Sequence, residues 1–234
     1  MTSTEIVFQS EKLYCHLSGA LIWPAAKTII VSDLHLEKGS AFAERGILLP
    51  PYDSRETLNR LTKVIENQLV SRVICLGDSF HDQSAFKRLG MEEKTLIQQM
   101  TTARDWIWIT GNHDPSPPSQ LGGQVSIELS VGPLTFRHIA EPNADAGEIS
   151  GHYHPKARVT VRGRGLSAPC FIADENKLIL PAFGAYTGGL DVTDPAIERY
   201  FHNNYRIHML GQKKVYSFPH SSLSKKDRTL PLDK

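Results

Sequence analysis

Residues 106–114 read WIWITGNHD, a short apolar run that leads directly into a polar cluster. The first five residues are apolar or β-branched, which predicts a buried strand. The polar residues 111–114 then lie at its carboxyl end, where open α/β sheets carry their functional groups. Asn112 offers an amide oxygen to a metal ion, and His113 offers an acid or base near neutral pH. A simple turn ending at Pro115 would read the same way, so this segment alone leaves both interpretations open.

The composition is that of an ordinary globular protein. The 234 residues, 40% hydrophobic and 22% charged, suffice for a sizeable core in one large domain or two small ones. The net charge of +1 shows no overall excess of basic residues of the kind that favours nucleic-acid binding. A local basic groove is still compatible with this net charge. The three cysteines are few and widely spaced, which indicates a reducing compartment. Without a leader pattern or a membrane-length apolar run, we expect a cytoplasmic protein.

Alternating strands and helices in the first half predict an α/β domain. The clearest helix covers residues 54–69, with Asp53 as its cap and Glu56 completing a capping box. The other predicted elements are strands at 6–8, 13–16, 20–23, 28–32, 72–76 and 106–110, and a helix at 91–103.

Beyond residue 123 the pattern changes to short strands joined by turn residues, which predicts a second, largely antiparallel sheet. We expect residues 1–220 to form a single domain and residues 221–234 to form a mobile, polar tail. The predicted strands are 125–129, 134–137, 158–161, 170–173, 178–180 and 215–218.

Potential metal ligands recur at the predicted strand ends. Residues two apart on an extended segment point the same way, so the side chains of a D-x-H or H-x-H pair can converge. Carboxylate, amide and imidazole ligands without a thiolate suit Mn, Fe, Zn or related ions. Seven ligands exceed one tetrahedral site and suit two metals about 3.5–4 Å apart, an arrangement that serves phosphate-ester chemistry. The seven are Asp33, His35, Asp78, Asn112, His138, His152 and His154.

The order of these motifs resembles the calcineurin-like metallophosphoesterase superfamily. The resemblance implies a four-layer αββα sandwich with a dinuclear site, most often holding Mn, with Fe, Zn, Mg or Ni as alternatives. It also implies roles for the site residues. Asp33, His35 and His154 would hold one metal, Asn112, His138 and His152 would hold the other, Asp78 would bridge them, and His113 would protonate the leaving oxygen.

Longer segments are similar to one bacterial subfamily, the ligase-associated DNA damage response endonucleases (PdeM). This resemblance implies a DNA substrate, a role in repair, and association with a DNA ligase, a helicase and an exonuclease. The segments are SDLHLEKGSAFAERGILLPPYD, GDSFHD, WITGNHDP, GHYHPKARV and PAFGAYTGGLDV.

The sequence departs from the superfamily's phosphoprotein phosphatases at residues 77–82. Those enzymes carry GDxxDRG, in which the second Asp orients the catalytic histidine. Here the motif reads GDSFHD, with Asp82 one position later and no Arg after it, which argues against a protein phosphatase. Asp82 is one candidate for orienting His113 and Asp114 is the other, whereas a solvated loop is the alternative for His81 and Asp82.

Several residues outside the ligand set are candidates for substrate contacts. Lys38 could reach a phosphate, or it could be a solvated loop lysine. The Gly-rich loop 183–189 could bind a phosphate or stack a base, or it could be a tight turn with core aromatics. Four basic residues at a spacing of two predict a basic stripe along one strand, suited to a nucleic-acid backbone or to a solvated outer face. They are Lys156, Arg158, Arg162 and Arg164.

The sequence is therefore compatible with three functions. The first is a dinuclear metal-dependent phosphodiesterase that acts on nucleic acid. The second keeps the site but uses a cyclic nucleotide or another small phosphodiester or pyrophosphate. The third is a non-catalytic scaffold with the same fold. Metal content separates the scaffold from the enzymes, and salt-dependent DNA binding separates the first function from the second.

Overall fold

The computed structural model describes residues 2–161, 164–201 and 204–223, which form two β-sheets packed face to face. The first sheet has seven strands in chain order, antiparallel up to the fourth and parallel from there on. They are β1 (Ser3–Phe8), β2 (Glu11–His16), β3 (Leu21–Trp23), β4 (Thr28–Val31), β5 (Arg72–Leu76), β6 (Asp105–Ile109) and β7 (Gln124–Ser126).

The parallel strands of this sheet are apolar throughout because both of their faces are covered. In β6, Trp106 and Trp108 pack with the helices, whereas Ile107 and Ile109 pack toward the second sheet. The side chains alternate because successive residues of a strand point to opposite faces. The helices are α1 (Lys38–Glu44), α2 (Asp53–Glu66), α3 (Ala85–Arg88), α4 (Met91–Thr102) and α5 (Pro195–Glu198).

The second sheet has eight strands and is antiparallel except around one strand, β10, which pairs in parallel with both of its neighbours. That exception matters because parallel neighbours end at the same edge of a sheet. The strands are β8 (Glu128–Val131), β9 (Leu134–Arg137), β10 (Glu148–Ser150), β11 (Lys156–Val161), β12 (Arg164–Ala173), β13 (Lys177–Ile179), β14 (Arg206–Leu210) and β15 (Val215–Pro219).

A fourth layer covers the outer face of the second sheet, so the four-layer αββα sandwich expected from the sequence is confirmed. Ile197 of α5 and the nearby Tyr200 pack there against Ile172 of β12 and Ile207 of β14. This outer layer is thin because its helix spans only four residues.

Two predictions about element boundaries differ from the structure. The predicted strand 125–129 is two strands in different sheets, because the chain crosses between the sheets at the exposed Ile127. Helix α2 begins at Asp53 itself, with Tyr52 as its N-cap. The Asp53 carboxylate instead accepts a hydrogen bond from the Gly39 amide at 2.9 Å, so it satisfies an amide in the first turn of α1.

The predicted basic stripe on a single strand is also wrong. Strand β11 ends at Val161, which pairs antiparallel with Arg164, so Arg164 belongs to the next strand. Only Lys156 and Arg158 lie on β11, and Arg162 lies outside the described residues.

Near the end of the described residues, His220–Ser222 form a 3-10 turn. The predicted tail from 224 onward falls outside the described residues, and the single-domain boundary at 220 stays a prediction. Among the helices of the described residues, none has the length and apolar character needed to cross a bilayer.

Candidate metal centre

The candidate ligands meet where the carboxyl ends of strands from both sheets come together. In the first sheet, β4, β5 and β6 run parallel and end at this edge, and β9 and β10 of the second sheet also run parallel. The ligands follow these strands as Asp33 and His35 after β4, Asp78 after β5, Asn112 after β6, His138 after β9, and His152 and His154 after β10.

One cluster contains Asp33, His35 and His154, whose potential ligand atoms lie within 4.8 Å of one another. The Nε2 atom of His154 is 3.2 Å from Oδ1 of Asp33 and 3.2 Å from Nε2 of His35. Burial lowers the pKa of His35 to about 3, so its ring is neutral and offers a lone pair. This donor set suits a divalent cation.

The Asp33 carboxylate supplies an independent test of that fit. Its Oδ2 atom accepts hydrogen bonds from the Ser32 hydroxyl and, at 2.9 Å, from the His152 amide. Its Oδ1 atom is buried, lacks a hydrogen-bond partner among the described residues, and faces the imidazoles of the cluster. A buried carboxylate oxygen is costly to leave unsatisfied, and a metal ion would satisfy it.

A second cluster contains Asp78, His138 and His152, again within 4.8 Å. The Nε2 atom of His138 is its centre, at 3.3 Å from Oδ2 of Asp78 and 3.2 Å from Nδ1 of His152. The amide oxygen of Asn112 lies 3.0 Å from the same nitrogen. Four strand ends, those of β5, β6, β9 and β10, therefore bring ligands to one point.

The orientation of His138 is the one expected of a metal-binding histidine. Its Nδ1 atom donates to the carbonyl oxygen of Leu76 at 2.8 Å, so Nε2 faces the cluster. Burial favours the neutral ring, but the carboxylates of Asp78 and Asp33 outweigh it and raise the pKa of His138 to about 9. The pocket thus favours positive charge at this point.

The ligands converge through left-handed backbone, and not through the extended alternation expected from the sequence. Five of them have positive φ angles, each of which costs on the order of 1–3 kcal/mol. Backbone hydrogen bonds to the residues that follow β5 stabilise this conformation. The Asp33 amide donates to the Gly77 carbonyl oxygen at 3.2 Å, and the His35 amide donates to the Asp78 carbonyl oxygen at 2.9 Å. The five are Asp33, His35, Asp78, His152 and His154.

Gly77 is required in this arrangement for two reasons. Its φ of +73° favours glycine, and a Cβ atom there would lie 2.4 Å from the His138 ring. The glycine of the Gly77-Asp78 motif therefore makes room for a ligand from the opposite sheet.

A family model for calcineurin-like phosphoesterases matches residues 26–163 of the chain, a range that contains all seven candidate ligands. The chain belongs to this family. It is therefore a hydrolase, and its two ligand clusters agree with the dinuclear metal sites of calcineurin-like phosphoesterases.

Solved structures add a second comparison for this phosphoesterase. A structure described as Pseudomonas putida nuclease MPE matches with a TM-score of 0.72 and 25% sequence identity. The match covers 92% of this chain and 100% of the nuclease chain. Among curated proteins, none matches the phosphoesterase significantly.

The structure places His113 at the mouth of the phosphoesterase site. Its backbone amide donates to Oδ1 of Asp78 at 2.8 Å, and its exposed ring lies edge-on to His35 with 5.3 Å between ring centroids. The ring's Nδ1 atom lies 2.8 Å from the carbonyl oxygen of His81. A carbonyl can only accept, so Nδ1 carries a proton, and Nε2 is the atom left for proton exchange.

This hydrogen bond corrects the expectation that Asp82 orients His113. The Asp82 carboxylate binds the Arg88 guanidinium at 2.7 Å and the Ser84 amide at 2.8 Å. His81, for which the sequence suggests only a solvated loop, therefore contacts the site, and its place between Asp78 and Asp82 is the only sequence signal of that contact.

The alternative candidate, Asp114, also acts elsewhere. Its buried carboxylate accepts from the amides of Ser79 at 2.8 Å, Phe80 at 3.1 Å and Gly111 at 3.1 Å. Burial raises its pKa to about 7. Asp114 therefore ties the loop after β5 to the loop after β6, and so shapes the backbone around Asp78.

The candidate substrate contacts differ in their distance from the ligands. Lys38 is half-buried at the start of α1. Burial is the main cause of the lowered pKa values of His35 and His81, and the positive charge of Lys38 lowers both pKa values further. Lys38 is therefore within electrostatic reach of the site. Arg158 is exposed on β11.

The Gly-rich loop 183–189 borders the first cluster. The amide of Phe183 donates to the backbone carbonyl of Ser32 at 2.8 Å, and the amide of Gly184 donates to the backbone carbonyl of Asp33 at 3.0 Å. The Phe183 ring is buried in the core, whereas Tyr186 is exposed with a φ of +58°. One aromatic of this loop is thus core, and the other faces solvent.

Proposed function

We propose that this phosphoesterase is a dinuclear metal-dependent phosphodiesterase that cleaves DNA. The observation that carries the proposal is the meeting of two ligand clusters beside one exposed histidine, His113, whose Nε2 atom is available. When bound, the metals would activate water and neutralise the phosphoryl oxygens. We propose Mn as the native metal.

The ligands divide between the metals as the resemblance to the superfamily implies. In this proposal Asp33, His35 and His154 hold one metal and Asn112, His138 and His152 hold the other. Asp78 would contribute to both metal sites, since its carboxylate lies 3.3 Å from Nε2 of His138 in the second cluster and its charge also acts on His35 in the first. The two clusters are also linked directly, because the His152 amide of one donates a hydrogen bond to the Asp33 carboxylate of the other. This link supports a shared site.

The protein's own residues then position the reacting ester and supply the proton. His113 delivers a proton from Nε2 to the leaving oxygen while its Nδ1–H stays on the His81 carbonyl. Lys38 contacts a phosphate oxygen of the substrate and adds positive charge at the mouth of the site.

Two observations favour a polymeric substrate over a small one. Asn112 and His113 are exposed, so the site is open enough to admit a phosphodiester within a chain. The similarity to a nuclease over the whole length of that nuclease also supports a nucleic acid. On the subfamily resemblance we further propose a role in DNA repair, association with a DNA ligase, helicase and exonuclease, and a cytoplasmic location.

The test is hydrolysis with added Mn of bis-p-nitrophenyl phosphate, p-nitrophenyl phosphate, cyclic nucleotides, and single- and double-stranded DNA. We expect cleavage of diesters and DNA by the wild type and loss of activity in Asp78→Asn and His113→Ala. The matched control is Asp105→Asn, which makes the same change at the opposite end of the first sheet, in a surface pair with Arg72.

Two results would change the proposal. Turnover of small diesters or cyclic nucleotides without DNA cleavage would keep the site and discard the DNA substrate. A wild type that binds no metal and cleaves nothing would favour the scaffold.

A further inference from the structure

The Gly-rich loop 183–189 packs against the backbone of the first ligand cluster near both of its ends. A Cβ atom at Gly184 would lie 2.2 Å from the carbonyl oxygen of Leu34, which stands between two candidate ligands in the chain. A Cβ atom at Gly189 would lie 2.2 Å from the carbonyl oxygen of the ligand His154. There is no room for a side chain at either glycine, so the loop lies directly against the candidate metal centre.

Helix α2 holds the same loop from its other side. The amide of Ala185 donates to the Thr57 hydroxyl at 3.0 Å. The Arg60 guanidinium donates to the Phe183 carbonyl oxygen and also lies over the Phe183 ring, 4.7 Å from the ring centroid. Because the Phe183 side chain is fully buried, these contacts tie the loop to the core. The loop is therefore a preformed part of the site.

This loop carries one exposed aromatic side chain, Tyr186, on an unfavourable backbone. The φ angle of Tyr186 is +58°, in the left-handed region that favours glycine. The residue is 39% exposed, so the ring is not needed to fill the core. Tyr186 follows Gly184 by two residues, which span at most about 7 Å. A strained and exposed tyrosine so close to the ligands indicates a role in binding.

The hydrogen bonds of the loop decide between the two kinds of binding that the sequence allowed. The amides of Phe183, Gly184 and Ala185 already donate to oxygen atoms of the protein. Each backbone N–H is a single donor, so these three amides are not available to a phosphate. An exposed tyrosine ring, by contrast, offers a face on which a nucleic-acid base can stack.

We propose that Tyr186 is a substrate-binding residue on which an unpaired base next to the scissile phosphate stacks. This inference rests on the proposed function, in which the substrate is DNA. In that function the ligand clusters and Lys38 recognise only the phosphate, which every phosphodiester shares. Stacking on Tyr186 adds a contact that only a substrate with a base can make, and it accepts all four bases because each has a π-face.

The test compares two labelled single strands of equal length and charge. One is an oligothymidylate, and the other has an abasic tetrahydrofuran site at every position. Cleavage with added Mn is measured for the wild type, for Tyr186→Ala, which removes the ring, and for Tyr186→Phe, which keeps it. The matched control is Tyr216→Ala, which removes an exposed tyrosine from the edge strand β15, separated from β10 by three strands.

We expect Tyr186→Ala to lower kcat/KM for the oligothymidylate roughly 10-fold, mainly through KM, as for the loss of one stacked base. The abasic strand should change less than about 2-fold, because it has no base to stack. Bound Mn should stay the same, and the salt dependence of DNA binding should not change because no charge is lost. Tyr186→Phe should keep most of the wild-type rate, and Tyr216→Ala should behave as the wild type.

A second readout separates substrate binding from a structural role and needs no substrate. Glycine adopts a positive φ without strain, so Tyr186→Gly should unfold at the same temperature as the wild type or at a higher one. It should nevertheless lose activity on the oligothymidylate as Tyr186→Ala does. A clearly lower Tm in Tyr186→Gly would show that the ring serves the fold, and would overturn the inference.

The outcomes separate this inference from the proposed function. If the wild type cleaves the oligothymidylate and Tyr186→Ala cleaves it equally well, only the inference about Tyr186 fails. An equal loss on both strands, or a loss of Mn, would also overturn it and assign Tyr186 to the structure of the site. If the wild type cleaves neither strand, the DNA substrate of the proposed function fails, and the inference fails with it.

Discussion

The Nδ1 atom of His138 donates to the carbonyl oxygen of Leu76 at 2.8 Å, and this bond joins the two sheets at the candidate metal centre. Leu76 ends β5 of the first sheet, and His138 follows β9 of the second. The bond orients the imidazole, and the glycine after Leu76 leaves room for it. The sandwich and the ligand geometry therefore depend on each other.

Gly77→Ala tests that dependence. A Cβ atom would lie 2.4 Å from the His138 ring, so the ring must move away from Asp78. We expect the bound Mn to fall from about two to about one per chain and kcat to fall at least ~100-fold, as for a lost catalytic metal ligand. Metal analysis of the dialysed protein measures the first effect.

The matched control for that variant is Gly46→Ala. Gly46 has a similar φ of +79°, but a Cβ atom there meets no atom within 4 Å. It should show the cost of backbone strain without loss of metal. Equal metal content in both variants would contradict the role given to Gly77.

Lys177→Met should destabilise the fold. Lys177 pairs with Glu148 at 3.0 Å, and both side chains are almost fully buried. Removal of Lys177 leaves the buried Glu148 carboxylate with the Arg137 guanidinium at 3.4 Å and the Glu141 amide at 3.1 Å, so we expect a loss of about 3 kcal/mol in the free energy of unfolding. Urea unfolding followed by tryptophan fluorescence measures it.

The control for this pair is Lys12→Met. Lys12 and Glu5 form an exposed pair at 3.8 Å, so its loss should cost less than about 0.5 kcal/mol. An equal loss of unfolding free energy in Lys177→Met and Lys12→Met would show that the buried pair contributes no more to stability than the exposed pair.

His208 should make the fold sensitive to acid. Burial, with a smaller effect from Arg206, lowers the pKa of His208 to about 4 in the folded protein, below the value of 6.5 for the unfolded chain. Between these values the unfolded chain binds the proton more readily, so stability falls as pH drops from about 6.5 to about 4. From pH 7 to pH 5 we expect His208 to account for a loss of about 2 kcal/mol.

His208→Asn checks this, because asparagine does not titrate and can keep a polar contact with Ser217, whose hydroxyl lies 2.7 Å from Nδ1 of His208. The difference in unfolding free energy between pH 7 and pH 5 should be smaller in the variant than in the wild type. The same pH dependence in both proteins would rule out His208 as the cause.

Lys38→Met should weaken substrate binding more than chemistry. Removal of one phosphate contact should raise KM for DNA several-fold and reduce the slope of log Kd against log salt by about 0.7 for a single strand. Fluorescence anisotropy of labelled DNA with metal-free protein gives that slope. Lys87→Met, on the exposed face of α3, is the control, and an unchanged slope in Lys38→Met would exclude the contact.

Local patterns were enough to predict much of the fold. The apolar runs at 28–32, 72–76 and 106–110 became β4, β5 and β6, because a strand covered on both faces has to be apolar at every position. The helix predicted at residues 54–69 corresponds to α2, in which Leu58, Leu61, Val64 and Ile65 are buried at the spacing of one helix face. The ligand types and their order along the chain identified the family and the chemistry.

Long-range contacts decided the remainder. No local pattern distinguishes the acceptor of the His113 ring, since the His81 carbonyl and the Asp82 carboxylate are neighbours in the chain and only the folded loop turns one toward the ring. The division of residues 124–131 between two sheets likewise depends on which strand edge is available to each half. Hydrophobic period and residue chemistry are properties of a segment, whereas hydrogen-bond partners across sheets exist only once the chain has folded.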